Sequence, residues 1–301
     1  MLILSGPTAC GKTNVALALA RHTGGEIVCA DAFQLYEGLP VLTAQPRPSE
    51  MAAVPHHLYG SVPLTEDMDA AKFSRLAEAA IADITARGRL AIVTGGSGLY
   101  IKALTHGLSP LPPADAALRA ELDLLSNEER AARLLSLDPA AGESVPMANP
   151  RYVQRALEIV ILTGRPAAEQ RTSFASGPRP GVRGVFLHRS REELYTRINA
   201  RTHEMIAQAA LDEVRALPDH LSVTAQKTIG LRELRAVISG SMSLPAAIAA
   251  IQQTTRRYAK RQETWFRREI WMSAVDAGNR SAEETAAQLA QAINLHPASH
   301  A

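Results

Sequence analysis

The segment Gly6-Pro-Thr-Ala-Cys-Gly-Lys-Thr13 constrains this chain more than any other stretch of it. It fits the pattern G-x-x-x-x-G-K-[ST], directly behind the apolar run Leu2-Ile3-Leu4 and ahead of the helical run from Asn14 to Arg21, the strand–loop–helix context that the pattern requires. Glycines let successive backbone N–H groups curl around phosphate oxygens. The helix N-terminus adds positive potential, Lys12 adds a full charge, and Thr13 can hold Mg2+. A phosphorylated ligand follows. The pattern alone leaves open whether that ligand is a nucleotide whose phosphate is transferred or hydrolysed, or some other diphosphate.

Further apolar runs continue the α/β pattern. Glu26 to Ala30 reads as a buried strand ending at Asp31, Leu90 to Thr94 as a third, and Val185 to His188 as a fourth. Asp69 can cap a helix in which Ala70, Phe73, Leu76, Ala77, Ala80, Ile81 and Ile84 recur at helical spacing, with Gly88 past its end. Gly95-Gly96-Ser97-Gly98 opens another helix, a long one is predicted from Arg191 to Leu217, and another from Leu244 to Trp271. The alternation predicts an α/β fold: a P-loop NTPase-like parallel sheet with right-handed crossovers and a helical C-terminal region. Ligands on such sheets sit at the C-terminal ends of the strands, where the phosphate loop, Asp31 and the Gly95–Ser97 turn all fall. Pro110, Pro112 and Pro113 on one side and Pro178 and Pro180 on the other bracket a helical stretch containing Leu118, Leu122, Leu125, Val153, Leu157 and Val160. The expected domains are a catalytic core of residues 1–110 and 181–275, an inserted helical subdomain of residues 111–180, and a C-terminal helix and tail, 276–301.

The balance of 32 basic against 30 acidic residues gives a net charge of +2, so no global field recruits a polyanion and local patches must do so. The two cysteines, Cys10 and Cys29, have no zinc spacing, and no apolar stretch approaches the ~20 residues of a membrane span. Placement in a reducing cytoplasm, away from membranes, is expected, and nothing demands more than a monomer.

A kinase or triphosphatase would complete its Mg2+ site with an aspartate at the end of a later strand. Here the strand Leu90–Thr94 runs into Gly95-Gly96-Ser97, which offers no carboxylate. The strand-end carboxylate is Asp31, which reads equally as a proton acceptor or as a loop anchor. Near the C-terminus, Arg257, Arg261, Trp265 and Arg268 fall on one helical stripe, and Arg256, Lys260, Thr264 and Arg267 on the next. Six cations within thirteen residues against one glutamate, with an aromatic between them, suit phosphate contact and stacking on RNA. His56, His57 and Cys29 read as structural.

Asp31-Ala-Phe-Gln-Leu-Tyr36-Glu-Gly38, Thr43-Ala-Gln-Pro46, Pro55-His-His-Leu58, Gly95-Gly-Ser-Gly-Leu-Tyr100 and Arg257-Tyr-Ala-Lys-Arg-Gln-Glu-Thr-Trp-Phe-Arg267 follow the phosphate loop in order. Together they resemble the tRNA dimethylallyltransferase (tRNA isopentenyltransferase) family, from Leu2 to about Trp271. The resemblance implies transfer of a dimethylallyl group from dimethylallyl diphosphate, with Mg2+, to the exocyclic amine of the adenine immediately 3′ of the anticodon in tRNAs that read U-initial codons. Diphosphate is the leaving group. It implies that Gly6, Pro7, Thr8, Ala9, Cys10, Gly11, Lys12 and Thr13 hold the diphosphate, with Thr13 also on the metal. Asp31 matches the general base, and Thr13 and Arg201 match a hydroxyl and a guanidinium at the diphosphate. Arg197, four residues before Arg201, reads as a solvated helix face paired with Glu204 or Glu193. The anticodon stem-loop of the tRNA is implied to meet Asp31, Ala32, Phe33, Gln34, Ser97, Arg119, Arg151, Tyr152, Val153, Gln154, Arg155, Lys227 and Arg232, and the tail positions Arg257, Lys260, Arg261, Trp265 and Arg267.

The sequence departs from the family pattern at several places. Ala32 replaces the usual Ser, Gln45 a Lys, Tyr59-Gly60 an Ile-Asp, Ser97 a Thr, Tyr152 an Arg and Leu231 a Tyr. None lies in the phosphate loop. The same chemistry on a free nucleotide, as in adenylate isopentenyltransferases, would need neither the insertion nor the basic tail helix. A small-molecule kinase would need the missing strand-end carboxylate, and a non-catalytic RNA-binding protein would not need loop, Asp31 and Arg201 together.

Overall fold

The computed structural model describes residues 1–109, 111–169 and 177–295. Pro110, residues 170–176 of the insertion and the expected tail beyond Leu295 lie outside the described residues.

The chain divides into two compact units, Met1–Thr105 continued from Pro178 onward, and His106–Gly177. The first is built on six parallel strands: β1 (Leu2–Ser5), β2 (Glu26–Cys29), β3 (His56–His57), β4 (Ala91–Gly95), β5 (Arg183–His188) and β6 (Met272–Asp276). Their spatial order is β3-β2-β4-β1-β5-β6. β1 lies centrally, pairing Leu2 with Ile92 and Arg183 and Ser5 with Gly95 and Phe186. Its four residues are all buried, as an apolar run between two helical layers must be. The parallel α/β sheet expected from the alternating pattern is present, with two strands more than the apolar runs revealed. β3 has only two residues, and β6 is an edge strand in which only Met272 is buried, so neither produces a hydrophobic run.

The helices of this unit before the insertion are α1 (Lys12–Thr23), α2 (Pro48–Ala53), α3 (Ala70–Ala86) and α4 (Gly98–His106). Asp69 caps α3 by accepting from the Lys72 amide at 2.8 Å. In the second unit α5 (Ala116–Asp123), α6 (Asn127–Leu137), α7 (Ala141–Ser144) and α8 (Pro150–Thr163) enclose a separate apolar core around Leu122, Leu134, Val153, Leu157 and Val160. Beyond it come α9 (Arg191–Ala207), α10 (Ala210–Arg215), a short 3-10 turn (Ala225–Lys227), α11 (Leu231–Ile238), α12 (Leu244–Phe266) and α13 (Ala282–Leu295). The two points at which the chain leaves and re-enters the first unit are joined directly, the Arg179 amide donating to the Thr105 carbonyl at 2.8 Å.

Two helix boundaries differ from expectation. The single helix predicted from Arg191 to Leu217 is two, because Ala209 adopts a left-handed conformation (φ 70°) between α9 and α10. No glycine or proline marks that break. The tail helix stops at Phe266, so Trp271 precedes β6 instead of closing a helix. α13 packs Ala286, Leu289 and Ala290 into the apolar layer around α1.

Candidate active site and RNA-facing surface

The loop between β1 and α1 is formed as the pattern requires. Gly11 stands at φ 99° immediately before Lys12 opens α1, and Ala9 is left-handed at φ 67°. Gly6 passes so close to β5 that a Cβ there would lie 2.3 Å from the Leu187 carbonyl oxygen. The loop's own carbonyls are tied down by cations: Lys12 Nζ donates to Pro7 O at 2.9 Å, Arg197 Nε to Ala9 O at 2.7 Å, and Arg189 Nε to Cys10 O at 2.8 Å. Arg197 is exposed, as expected of a solvated helix face, but its guanidinium holds the loop in place of the expected pairing with Glu204 or Glu193. Its partner is a backbone oxygen 188 positions away, beyond the reach of helical spacing. Arg189 was not singled out by sequence. The available signal was its position just past the end of β5, the strand beside β1.

Asp31 follows β2 by two residues. Its Oδ1 accepts the Phe33 amide at 3.1 Å, so it anchors its own turn and also faces a cleft. The polar side chains that line that cleft include Thr8, Asp31, Thr43, Arg201 and Tyr258. Leu42, Met205, Ile229 and Ile251 add apolar surface, interspersed with Thr202, Thr228 and Thr255. Burial lowers the pKa of the Arg201 guanidinium, and the charge of Asp31 opposes that shift and favours the cation. Burial likewise raises the pKa of the Tyr258 hydroxyl, with Asp31 adding to the rise. The Phe33 and Tyr258 rings stand 6.2 Å apart. Phosphate loop, carboxylate, guanidinium and apolar side chains thus share one opening.

The β4–α4 turn is hydrogen-bonded to the turn that carries Asp31. Gly95 and Gly96 are there because nothing larger fits: a Cβ on Gly95 would be 2.1 Å from Ala30 O, and one on Gly96 1.9 Å from Gln262 Nε2. Ser97 Oγ accepts the Ala32 amide at 2.8 Å, so the hydroxyl expected at RNA also fastens the Asp31 turn. Gln34 Nε2 donates to the Thr43 and Ala44 carbonyls, and Gln45 Nε2 to those of Gln34 and Tyr36.

The expected RNA residues separate into two groups. On α12 and just past its end, Arg257, Lys260, Arg261, Arg267 and Arg268 are exposed, and Trp265 is 37 % exposed with its indole against Gly98. Arg267 is paired with Glu263 at 2.7 Å. Arg256 leaves the expected stripe, turning inward to donate to Asn199 Oδ1 at 2.7 Å with its guanidinium over the Tyr195 ring. Lys227 and Arg232 are exposed, Arg232 beside Glu233. In the second unit, Arg119 and Arg155 both hold the fully buried Glu158, at 3.1 Å and 3.0 Å, and Arg155 also donates to Pro112 O. Gln154 bridges Asp123 and Arg130. Val153 is fully buried in that unit's core and has no surface to offer RNA, which corrects its inclusion; Arg151 and Tyr152 on the same helix are exposed. His57 pairs with Glu26 at 2.7 Å, and His56 with Val54 O.

A model of the IPP transferase family matches residues 34–269, from the Asp31 turn through the whole of α12. The chain belongs to the IPP transferase family. A tRNA dimethylallyltransferase of Akkermansia muciniphila is 42 % identical over 276 residues, covering 92 % of this chain and 93 % of that protein. A tRNA isopentenylpyrophosphate transferase of Bacillus halodurans superposes with a TM-score of 0.72 at 31 % identity, covering 97 % of this chain and 95 % of that one. A eukaryotic dimethylallyltransferase, at 24 % identity and a TM-score of 0.82, shares the fold. Within this IPP transferase, among the described residues, no group of three or more His, Cys, Asp and Glu side chains could hold a metal ion. No described helix is long and apolar enough to cross a membrane.

Proposed function

We propose that the protein transfers a dimethylallyl group from dimethylallyl diphosphate to the exocyclic amine of the adenine 3′ of the anticodon, in tRNAs reading U-initial codons. The observation that carries this reading is the single cleft in which Thr8 of the phosphate loop, Asp31 and Arg201 meet apolar side chains. Thr8 and Arg201 suit a diphosphate and the apolar side chains suit a branched hydrocarbon attached to it, whereas the strand-end carboxylate that phosphoryl transfer would place on Mg2+ is replaced by Gly95-Gly96-Ser97.

In the reaction the adenine nitrogen attacks the allylic carbon. A C–N bond forms as the C–O bond to diphosphate breaks, and the electron pair departs with the leaving group. The loop N–H groups, Lys12 and Arg201 meet the developing negative charge. The amine proton passes to the Asp31 carboxylate, whose Oδ1 is steadied by Phe33 N–H. Thr13 would hold Mg2+, which neutralises diphosphate charge when bound. A lone hydroxyl without carboxylates fits an ion that takes most of its ligands from the diphosphate and water. The exposed cations of α12 and of the second unit supply the RNA contacts, in a protein that acts as a soluble cytoplasmic monomer.

The test is incubation with labelled dimethylallyl diphosphate and total unmodified tRNA, followed by digestion to nucleosides. Labelled prenyladenosine is expected. Label appearing only in added free AMP, or transfer of the γ-phosphate of ATP to a small acceptor, would overturn the reading.

A further inference from the structure

Gln262 sits on the inward stripe of α12 with Ile251, Thr255, Ala259 and Phe266, and it is 4 % exposed. A carboxamide at such a position has to satisfy both of its ends inside the protein. Its Oε1 accepts the Thr8 amide at 2.8 Å, and its Nε2 donates to the Gly96 carbonyl at 2.9 Å. One side chain therefore joins the phosphate loop to the β4–α4 turn. That turn is fastened on both sides of the carboxylate-bearing residue: Ser97 N–H donates to Ala30 O at 3.3 Å, and Ala32 N–H to Ser97 Oγ at 2.8 Å. The connection from loop to base runs Thr8, Gln262, Gly96, Ser97, Ala32, Asp31, through hydrogen bonds and a few covalent links. Gly96 exists as glycine to admit this carboxamide, because any Cβ would collide with Nε2.

We propose that Gln262 is a positioning residue, whose carboxamide fixes the diphosphate loop in register with the turn that carries Asp31. The inference rests on the prenyl-transfer reading for its catalytic consequence, and on the loop geometry alone for its effect on anion binding. Thr8 N–H belongs to this scaffold, which leaves the later N–H groups of the loop for phosphate oxygens. Without the carboxamide, Thr8 N–H and Gly96 O lose their buried partners, and the two walls of the cleft are free to separate. Displacements of about 1 Å between reacting groups cost on the order of 10²-fold in rate. Because Gln262 is buried and its partners are backbone atoms and the buried Tyr258 hydroxyl, its loss leaves the exposed RNA face of α12 unchanged.

Glutamate at this position provides a chemical switch for the test. A protonated carboxyl has one donor and one acceptor and reproduces the carboxamide, whereas a carboxylate only accepts and opposes the Gly96 carbonyl. Burial favours the protonated form, so its titration is drawn up toward neutrality. Binding of inorganic pyrophosphate is measured by calorimetry for the wild type, Gln262→Ala and Gln262→Glu, from about pH 8 down to about pH 5. Gln262→Ala is expected to weaken pyrophosphate about tenfold at every pH. Gln262→Glu should be as weak as the alanine variant at the alkaline end, and its affinity relative to wild type should recover as the pH falls. Single-turnover prenyl transfer should drop by a further 10-fold or so in Gln262→Ala, with tRNA affinity within about twofold of wild type. A general structural loss would lower the melting temperature without producing the acid recovery. Unchanged pyrophosphate affinity in Gln262→Ala overturns the proposal, as does a pH-independent ratio for Gln262→Glu. A tenfold loss of tRNA affinity with pyrophosphate binding intact would overturn it too, by making the carboxamide an RNA contact. Should Gln262→Ala not fold, the glutamate profile decides alone. The pyrophosphate arm needs no turnover, so a wild type that moves no prenyl group defeats the functional reading and leaves this one measurable.

Discussion

The phosphate loop and the arginines of the inserted unit make opposite demands on their surroundings. The loop works through its own backbone: eight consecutive residues, two glycines and a lysine generate most of the anion site, and the rest of the protein merely steadies it. Arg119 and Arg155 carry charges with no fixed destination in sequence, and in the structure both hold the buried Glu158. Arg87 and Arg89 do the same for the buried Glu26 at the start of β2. The lesson is that a backbone-built site is a local property, whereas the work of a cation is assigned by whichever carboxylate the fold has buried nearby.

The largest expected effect tests the local side of this contrast. Asp31→Asn keeps the shape of the side chain and the acceptor for Phe33 N–H but cannot take the amine proton. Single-turnover transfer should fall roughly 10²–10⁴-fold with both substrates still bound. A variant that is less stable yet equally fast would leave Asp31 as a turn anchor only.

Next is the acid stability of the Glu26 cluster. Hydrogen bonding from Arg87, assisted by His57, outweighs burial and holds the Glu26 pKa down at about 2. A carboxylate with a depressed folded-state pKa stabilises the protein above its unfolded pKa of about 4.3, and that contribution is lost as the pH falls toward 2. Allowing for solvent around the half-exposed Arg87, Glu26→Gln should cost on the order of 2 kcal/mol at pH 7, measured by denaturant unfolding, with the difference shrinking between about pH 4 and pH 2. A difference that persists unchanged to the acid end would show that packing, not charge, holds the cluster.

Arg155→Ala comes third. If Glu158 owns this arginine, unfolding should become easier by about 1–2 kcal/mol, while the log–log salt dependence of tRNA binding keeps its slope. A slope reduced by somewhat under ~1 with unchanged stability would reassign the residue to RNA. The smallest effect is expected of Arg257→Gln on the exposed face of α12. Stability should not change, and the salt slope should fall by somewhat under ~1. No change in slope would remove this residue from the RNA face.

The parts of the fold that were legible in sequence are those whose signal is short-range. β1, the loop, α1 and the Asp69 cap could be read from consecutive residues, and Asp31 and Arg201, which the family motifs single out, line one cleft. What escaped depended on contacts distant in sequence. β3 and β6 are too short or too exposed to show periodicity, and Ala209 breaks a helix without a breaker residue. Arg189, Arg197 and Gln262 find partners in the loop from 179 to 254 positions away. Gln262 did leave one trace, as the polar member of an otherwise largely apolar helical stripe. Two departures from the family pattern, Gln45 and Gly60, turn out to be neighbours: a Cβ on Gly60 would lie 3.3 Å from Gln45 Oε1. The Gln45 amide bonds there to the carbonyls of Gln34 and Tyr36.

The hydrogen bond between Arg179 N–H and Thr105 O has a consequence for how this architecture can change over time. It brings the exit and return of a 72-residue excursion to adjacent points on the first unit, as the span His106–Gly177 shows. An excursion whose two ends already touch is, for the sheet, equivalent to a tight turn. Closing it costs the core an entropy that grows only slowly with its length. Residues can thus be added to or removed from the excursion at little cost in closure entropy to the sheet.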